Sequence, residues 1–81
     1  MDYLKFKKYL KKNDINLFDS EYRIVHFRLN NIENIFKNQT GGSRIIKKVK
    51  RINKILLSEF VNSLLNRDIN KINGIVCLLD N

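Results

Sequence analysis

Eighty-one residues suffice for one domain, but so short a chain buries only about 60–65% of its unfolded surface, which leaves little room for an enclosed catalytic pocket. It carries 16 Lys+Arg against 8 Asp+Glu, a net charge of +8, and this points to a polyanionic partner, either nucleic acid or an acidic membrane surface. No run of about 18 consecutive apolar residues occurs, so no membrane-crossing helix is expected, and the single cysteine, Cys77, excludes an internal disulfide.

The first predicted helix runs from Asp2 to Lys12. Tyr3, Phe6 and Leu10 form its apolar stripe, with Leu4 and Tyr9 beside them and Lys5, Lys8 and Lys12 on the other side. Its opening residues lack an apolar run of signal-peptide length and read as mature protein. Asn13 to Asp19 breaks the period, and Asp19 or Ser20 is placed to cap the next helix. A second helix, Glu21 to Lys37, carries Tyr22, Val25, Leu29, Ile32 and Phe36 on one stripe. Ile24, Phe27 and Ile35 flank that stripe, which implies packing on two neighbours. His26 falls on the polar side, as a surface or RNA-contacting group. Asn38 to Gly42 reads as a turn, because paired glycines accept backbone angles that a β-carbon forbids.

A long third helix, Arg44 to Asn66, comes after this turn with Ser43 as its cap. Ile45, Val49, Ile52, Leu56 and Phe60 share one face. Arg44, Lys47, Arg51, Lys54 and Ser58 lie within about 60° of one another on the opposite face. Asp68 caps a last short helix with Ile69, Ile72, Val76 and Leu79 on one stripe and Gly74 inside it; Cys77, in the run GIVCLL, reads as a small buried hydrophobe. The expected fold is therefore all-α and a single domain, 1–81. It has a short N-terminal helix, two long antiparallel helices forming a hairpin, and a short C-terminal helix.

The charge is unevenly spread. Residues 1–12 carry +4 and residues 44–54 carry +6 with no acid, while 13–43 and 55–81 carry −1 each. Six cations in eleven residues repel one another in water, and like charges one helical turn apart destabilise a helix. A phosphate backbone removes that cost and releases counterions on binding. Arg44 and Arg51 can fork onto phosphates or stack on bases. A membrane partner fits less well, because the basic face has no aromatic residue for a bilayer interface. Catalytic and metal chemistry find no support: one His, one Cys and scattered acids do not make a ligand set. Gly41, Gly42 and Ser43 lack the GxxxxGK[ST] pattern, although a helix N-terminus there can hold one RNA phosphate. The reading is a non-enzymatic binding protein with no cofactor, no small-molecule substrate and no membrane partner.

The helix order resembles that of ribosomal small-subunit protein fifteen over nearly the whole chain. DSEYRI at 19–24 is similar to the family's opening GS-x-E-[FV]-Q-[VI], and RLNNI from Arg28 to its RINNL. Ser43 and Arg44, followed by KRINKILLSEF from Lys50, look like its third helix, and LLNRDINKINGIVCLL like its final break. The turn NQTGGS is shorter than the family's H-x-x-D-x-x-S and lacks its His and Asp. The resemblance implies binding to a three-way junction of ribosomal RNA beside neighbouring ribosomal proteins. It carries to Ser20, Arg23 (where the family prefers Gln), Arg28, Ser43, Arg44, Lys50 and Arg51. With the cation pattern, the expected RNA-binding set is Lys5, Lys8, Lys12, Ser20, Arg23, Arg28, Gly42, Ser43, Arg44, Lys47, Lys50, Arg51 and Lys54. SRIIKKVKRINKI at 43–55 is also similar to large-subunit ribosomal protein twenty-nine, a basic helical hairpin, which leaves the first and last helices without a counterpart. A third alternative is a basic helical nucleic-acid or protein-binding module outside the ribosome. The absence of Ala and Pro, with Ile, Asn and Lys supplying 34 of 81 residues, fits an AT-rich genome. That favours a ribosome in an organelle, the mitochondrion first, or in the cytoplasm of a bacterium of such composition.

Overall fold

The computed structural model describes residues 2–40 and 45–79, without the side chains of 35–40, 45 and 46. The described residues are helical with no strand, in the order α1 (Tyr3–Lys12), α2 (Asp19–Thr40), α3 (Ile45–Val49), α4 (Lys54–Asn66) and α5 (Ile69–Leu79). The all-α expectation holds. The four-helix version does not, because the expected long third helix is two helices.

α1 buries Phe6 and Leu10 and ends in a left-handed turn. Asp14 takes φ 63°, which lets the Ile15 and Asp14 N–H groups donate to the carbonyls of Leu10 and Lys11 at 2.9 and 3.1 Å. These bonds satisfy carbonyls that a helix end otherwise leaves open. Ile15 is buried, and the Tyr22 hydroxyl donates to its carbonyl at 2.7 Å, so the loop is pinned onto α2. The residue preceding α2 is Phe18, not Asp19 or Ser20: its N–H donates to Glu21 Oε1 at 2.9 Å, the reciprocal half of a capping box. Asp19 is already helical, and its carboxylate is occupied elsewhere.

α2 continues through Thr40, beyond the turn expected from Asn38, because Asn38, Gln39 and Thr40 can all take helical angles. Tyr22, Val25 and Leu29 are buried as their spacing predicts, with Ile32 half-buried. Ile24 and Phe27 are exposed, although α2 does pack on more than one neighbour, meeting α1, α3 and α4. The expected roles of Ile35, Phe36 and Ile45 lie outside the described side chains.

The break after α3 is the main departure. Arg51 N–H donates to the Lys48 carbonyl, a tight turn follows, and Asn53 caps α4 by accepting from Leu56 N–H at 2.8 Å. A single straight helix from 44 to 66 would be about 35 Å long. Breaking it lets Val49 stay buried while Leu57, Phe60, Val61 and Leu64 enter the same core. Each such burial contributes about 1.5–3 kcal/mol, so together they exceed the loss of a few helical hydrogen bonds at about 1 kcal/mol each.

α4 packs on α2 and α5, and α3 packs on the same two helices. α4 ends at Arg67, left-handed with φ 55°. Asp68 then caps α5 as expected, accepting from Lys71 N–H at 3.2 Å. In α5, Ile75, Val76 and Leu79 are buried, but Ile69 is 67% exposed. Cys77 is exposed as well, contrary to the buried reading. In α5 the core takes Ile75, Val76 and Leu79, and a helix that packs on one side leaves the position between them outward.

Candidate nucleic-acid interface

Two basic segments far apart in sequence meet at the α3–α4 turn. Tyr9 stands at the edge of the buried stripe of α1, and its hydroxyl donates to the Val49 carbonyl at 3.2 Å. Burial pushes the Tyr9 hydroxyl's pKa upward, so it remains a donor at neutral pH. Val49 is the last residue of α3, and its carbonyl, past the reach of the helical ladder, also accepts a long bond from the Ile52 N–H at 3.4 Å. On the other side of the turn, Lys54 Nζ pairs with Asp14 at 2.5 Å. The end of α1 is thereby fastened to both sides of the turn.

Helical geometry places Lys5, Lys8 and Lys12 within about 100° of Tyr9, on the flank away from Phe6 and Leu10. All three are exposed, as are Lys47, Lys50 and Arg51 at the end of α3 and in the turn. None of the six is ion-paired with an acid among the described residues. Cations at a helix C-terminus interact favourably with the helix dipole by a few tenths of a kcal/mol. That accounts for Lys12 at the end of α1 and Lys47 at the end of α3 without a ligand, but not for Lys5 and Lys8.

The single ridge along one rod does not exist. Lys54 begins a new helix and is engaged by Asp14, so it leaves the line of Lys47 and Arg51. Instead, the Tyr9–Val49 bond brings the end of α1 next to the end of α3 and the turn after it. Gly42, Ser43 and Arg44 lie outside the described residues.

The α2 members of the expected set are placed differently. Arg28 Nη1 donates to the carbonyls of Leu64, at short range, and Leu65, at 3.0 Å, closing the carbonyl end of α4. Arg23 Nε donates to Asp19 Oδ2 at 3.1 Å, and its guanidinium lies 5.1 Å from the centre of the Tyr3 ring. The Lys7 ammonium and the Tyr3 hydroxyl donate to the same carboxylate at 2.8 and 2.7 Å. With Lys7 the largest cause, then Tyr3 and Arg23, these donors hold the Asp19 pKa far below the usual carboxylate range. Ser20 is exposed next to this cluster. His26 is half-buried, its ring 5.5 Å from that of Tyr3 and 5.6 Å from that of Phe6. It packs between α1 and α2, because α1 covers that side of α2.

Sequence reasoning missed Tyr9 as the tie between the two basic segments and Asn53 as a cap. An aromatic hydroxyl at the edge of an apolar stripe, and an Asn three residues before a run of leucines, were the available signals. No cluster of three or more potential metal ligands exists among the described residues, and no described helix is long and apolar enough to cross a membrane. No protein-family model, curated protein or solved structure matches this chain.

Proposed function

We propose that this chain is a non-catalytic RNA-binding protein that lays the composite surface of Lys5, Lys8, Lys12, Lys47, Lys50 and Arg51 against ribose-phosphate. The observation that carries this reading is the Tyr9–Val49 bond, which sets two like-charged segments side by side. Such an arrangement is costly in water and favourable against phosphates. Recognition is by charge and shape, with few base-specific contacts. The assembly proposed is the ribosomal small subunit, where the chain would brace a helical junction of ribosomal RNA beside other ribosomal proteins. The resemblance of 19–24, 28–32 and 43–60 to protein fifteen supports this. One finding favours a second reading, a basic nucleic-acid module outside the ribosome: a division at 50–53 is unlike the family's uninterrupted third helix.

Sedimentation of a native extract separates the two. The ribosomal reading requires co-migration with the small subunit at low salt; recovery only in the slow-sedimenting fractions excludes it. For RNA binding itself, Lys8, Lys47, Lys50 and Arg51 are changed together to Gln. The slope of log affinity for a junction RNA against log salt should flatten by roughly one for each phosphate no longer neutralised. An unchanged slope would remove this surface as the binding site.

A further inference from the structure

A second surface lies at the other end of α4. The thirteen residues of α4 span about 20 Å. Lys54 at its start touches Asp14 beside the cationic surface, and the carbonyls of Leu64 and Leu65 at its end are held by Arg28 on α2. There an open groove of about 330 Å³ runs between α2 and the start of α5. Leu64 lines it, Ile32 and Ile72 form its sides, and Phe27 and Ile69 stand on its rim, 66% and 67% exposed. Phe27 lies one helical turn before Asn31, and Ile69 one turn before Ile72, so each wall presents a row along its own helix. The charged groups lining the groove are two guanidinium groups, Arg28 and Arg67.

We propose that this groove docks an acidic amphipathic helix of another protein. Ile32 and Ile72 on either side of Leu64, with Phe27 and Ile69 at the rim, fit a helix laid between them, with its apolar face inward. An exposed aromatic beside a guanidinium is the composition in which interface anchors are enriched. The partner's charge is set by the rim: the exposed Arg67 attracts carboxylates and opposes a cationic face, and Arg28, whose donors are held by the Leu64 and Leu65 carbonyls, adds only its positive charge. They also oppose a second copy of this chain, which would bring its own +8 and the same two arginines to the contact. Because the groove and the cationic surface occupy opposite ends of α4, RNA and the acidic partner can be held at once. Docking at the groove does not depend on RNA binding at the other end.

The probe is a synthetic helical peptide with leucines at i, i+3, i+4 and i+7 and glutamates on its other face, titrated into isotope-labelled full-length protein. Amide shifts should concentrate at 27–32 and 64–72. Changing Phe27 and Ile69 together to Ala should weaken binding about tenfold or more with the far-UV dichroism and melting temperature retained, since both side chains are largely exposed. Arg67→Glu should reverse the preference towards a peptide whose glutamates are replaced by lysines. The Gln variant of Lys8, Lys47, Lys50 and Arg51 should bind the acidic peptide at the groove as the wild type does. Four results would overturn the proposal: no shifts in these segments, undiminished binding after the Phe27 and Ile69 changes, equal affinity for the lysine-faced peptide, or loss in the double variant of a concentration-dependent dimer seen by sedimentation equilibrium.

Discussion

The arginines of α2 and the cations of the α3–α4 turn carry the same charge and have opposite surroundings. Arg28 donates to two main-chain carbonyls of α4, and Arg23 shares the Asp19 carboxylate with Lys7 and Tyr3. Lys47, Lys50 and Arg51 are exposed with no acid partner among the described residues. The first group uses its hydrogen-bonding capacity to join helices; the second leaves it open to solvent or a ligand. A count of cations does not separate the two. The difference lies in which groups the fold places within reach.

Arg28→Met is expected to have the largest effect on stability. It keeps the aliphatic stem and leaves two helix-end carbonyls without their charged donor, at a cost of about 1.5–3 kcal/mol. Urea denaturation should show a lower midpoint, with RNA affinity unaffected at temperatures where the protein stays folded. A loss of RNA affinity in the folded variant would blur the division between the two groups.

Asn53→Ala comes next, and its sign is diagnostic. In an unbroken helix Ala is the better residue by several tenths of a kcal/mol, and the change would stabilise. At an N-cap the missing side-chain acceptor costs about 1 kcal/mol. A drop in melting temperature therefore supports the divided helix, and a rise would restore the continuous one.

Changing Lys47, Lys50 and Arg51 together to Gln should leave stability within about 0.5 kcal/mol of wild type, as for surface positions without partners. A larger loss would show that the turn cations hold structure as Arg28 does.

The smallest effect is that of Asp19→Asn, read through pH. The folded carboxylate has its pKa lowered, chiefly by the Lys7 donor, then by Tyr3 and Arg23. The stabilisation is thus fully present above the unfolded value of about 3.9 and is lost as pH falls below it towards the folded value. Wild type should melt slightly above the Asn variant at neutral pH, and the gap should shrink as pH drops below about 4. Added salt should narrow it too, because the cluster is exposed. A gap that persists into strong acid would mean that the carboxylate's charge is not what joins α1 to α2.

Much of this molecule is determined by its one-dimensional pattern. The 3.6-residue spacing of Tyr22, Val25 and Leu29, or of Phe6 after Tyr3, requires one helical face to leave water whatever the fold. Asp68 before an apolar run marks a helix start for reasons that act within four residues. Such local physics yielded the helical class, the start of α5, and the two stretches where positive charge concentrates.

The division of the third helix was beyond that reach. Val49, Ile52, Leu56 and Phe60 keep helical spacing straight across the break, so periodicity alone predicts a rod. Only packing against α2 and α5 shows that a rod would carry one end past the core. The same holds for the placement of Arg28, His26, Phe27 and Cys77. Each helix exposes or covers such residues according to which neighbours cross it, and those crossings join residues tens of positions apart. The cationic surface is likewise tertiary: Tyr9 and Val49 lie 40 positions apart and meet only in the folded chain.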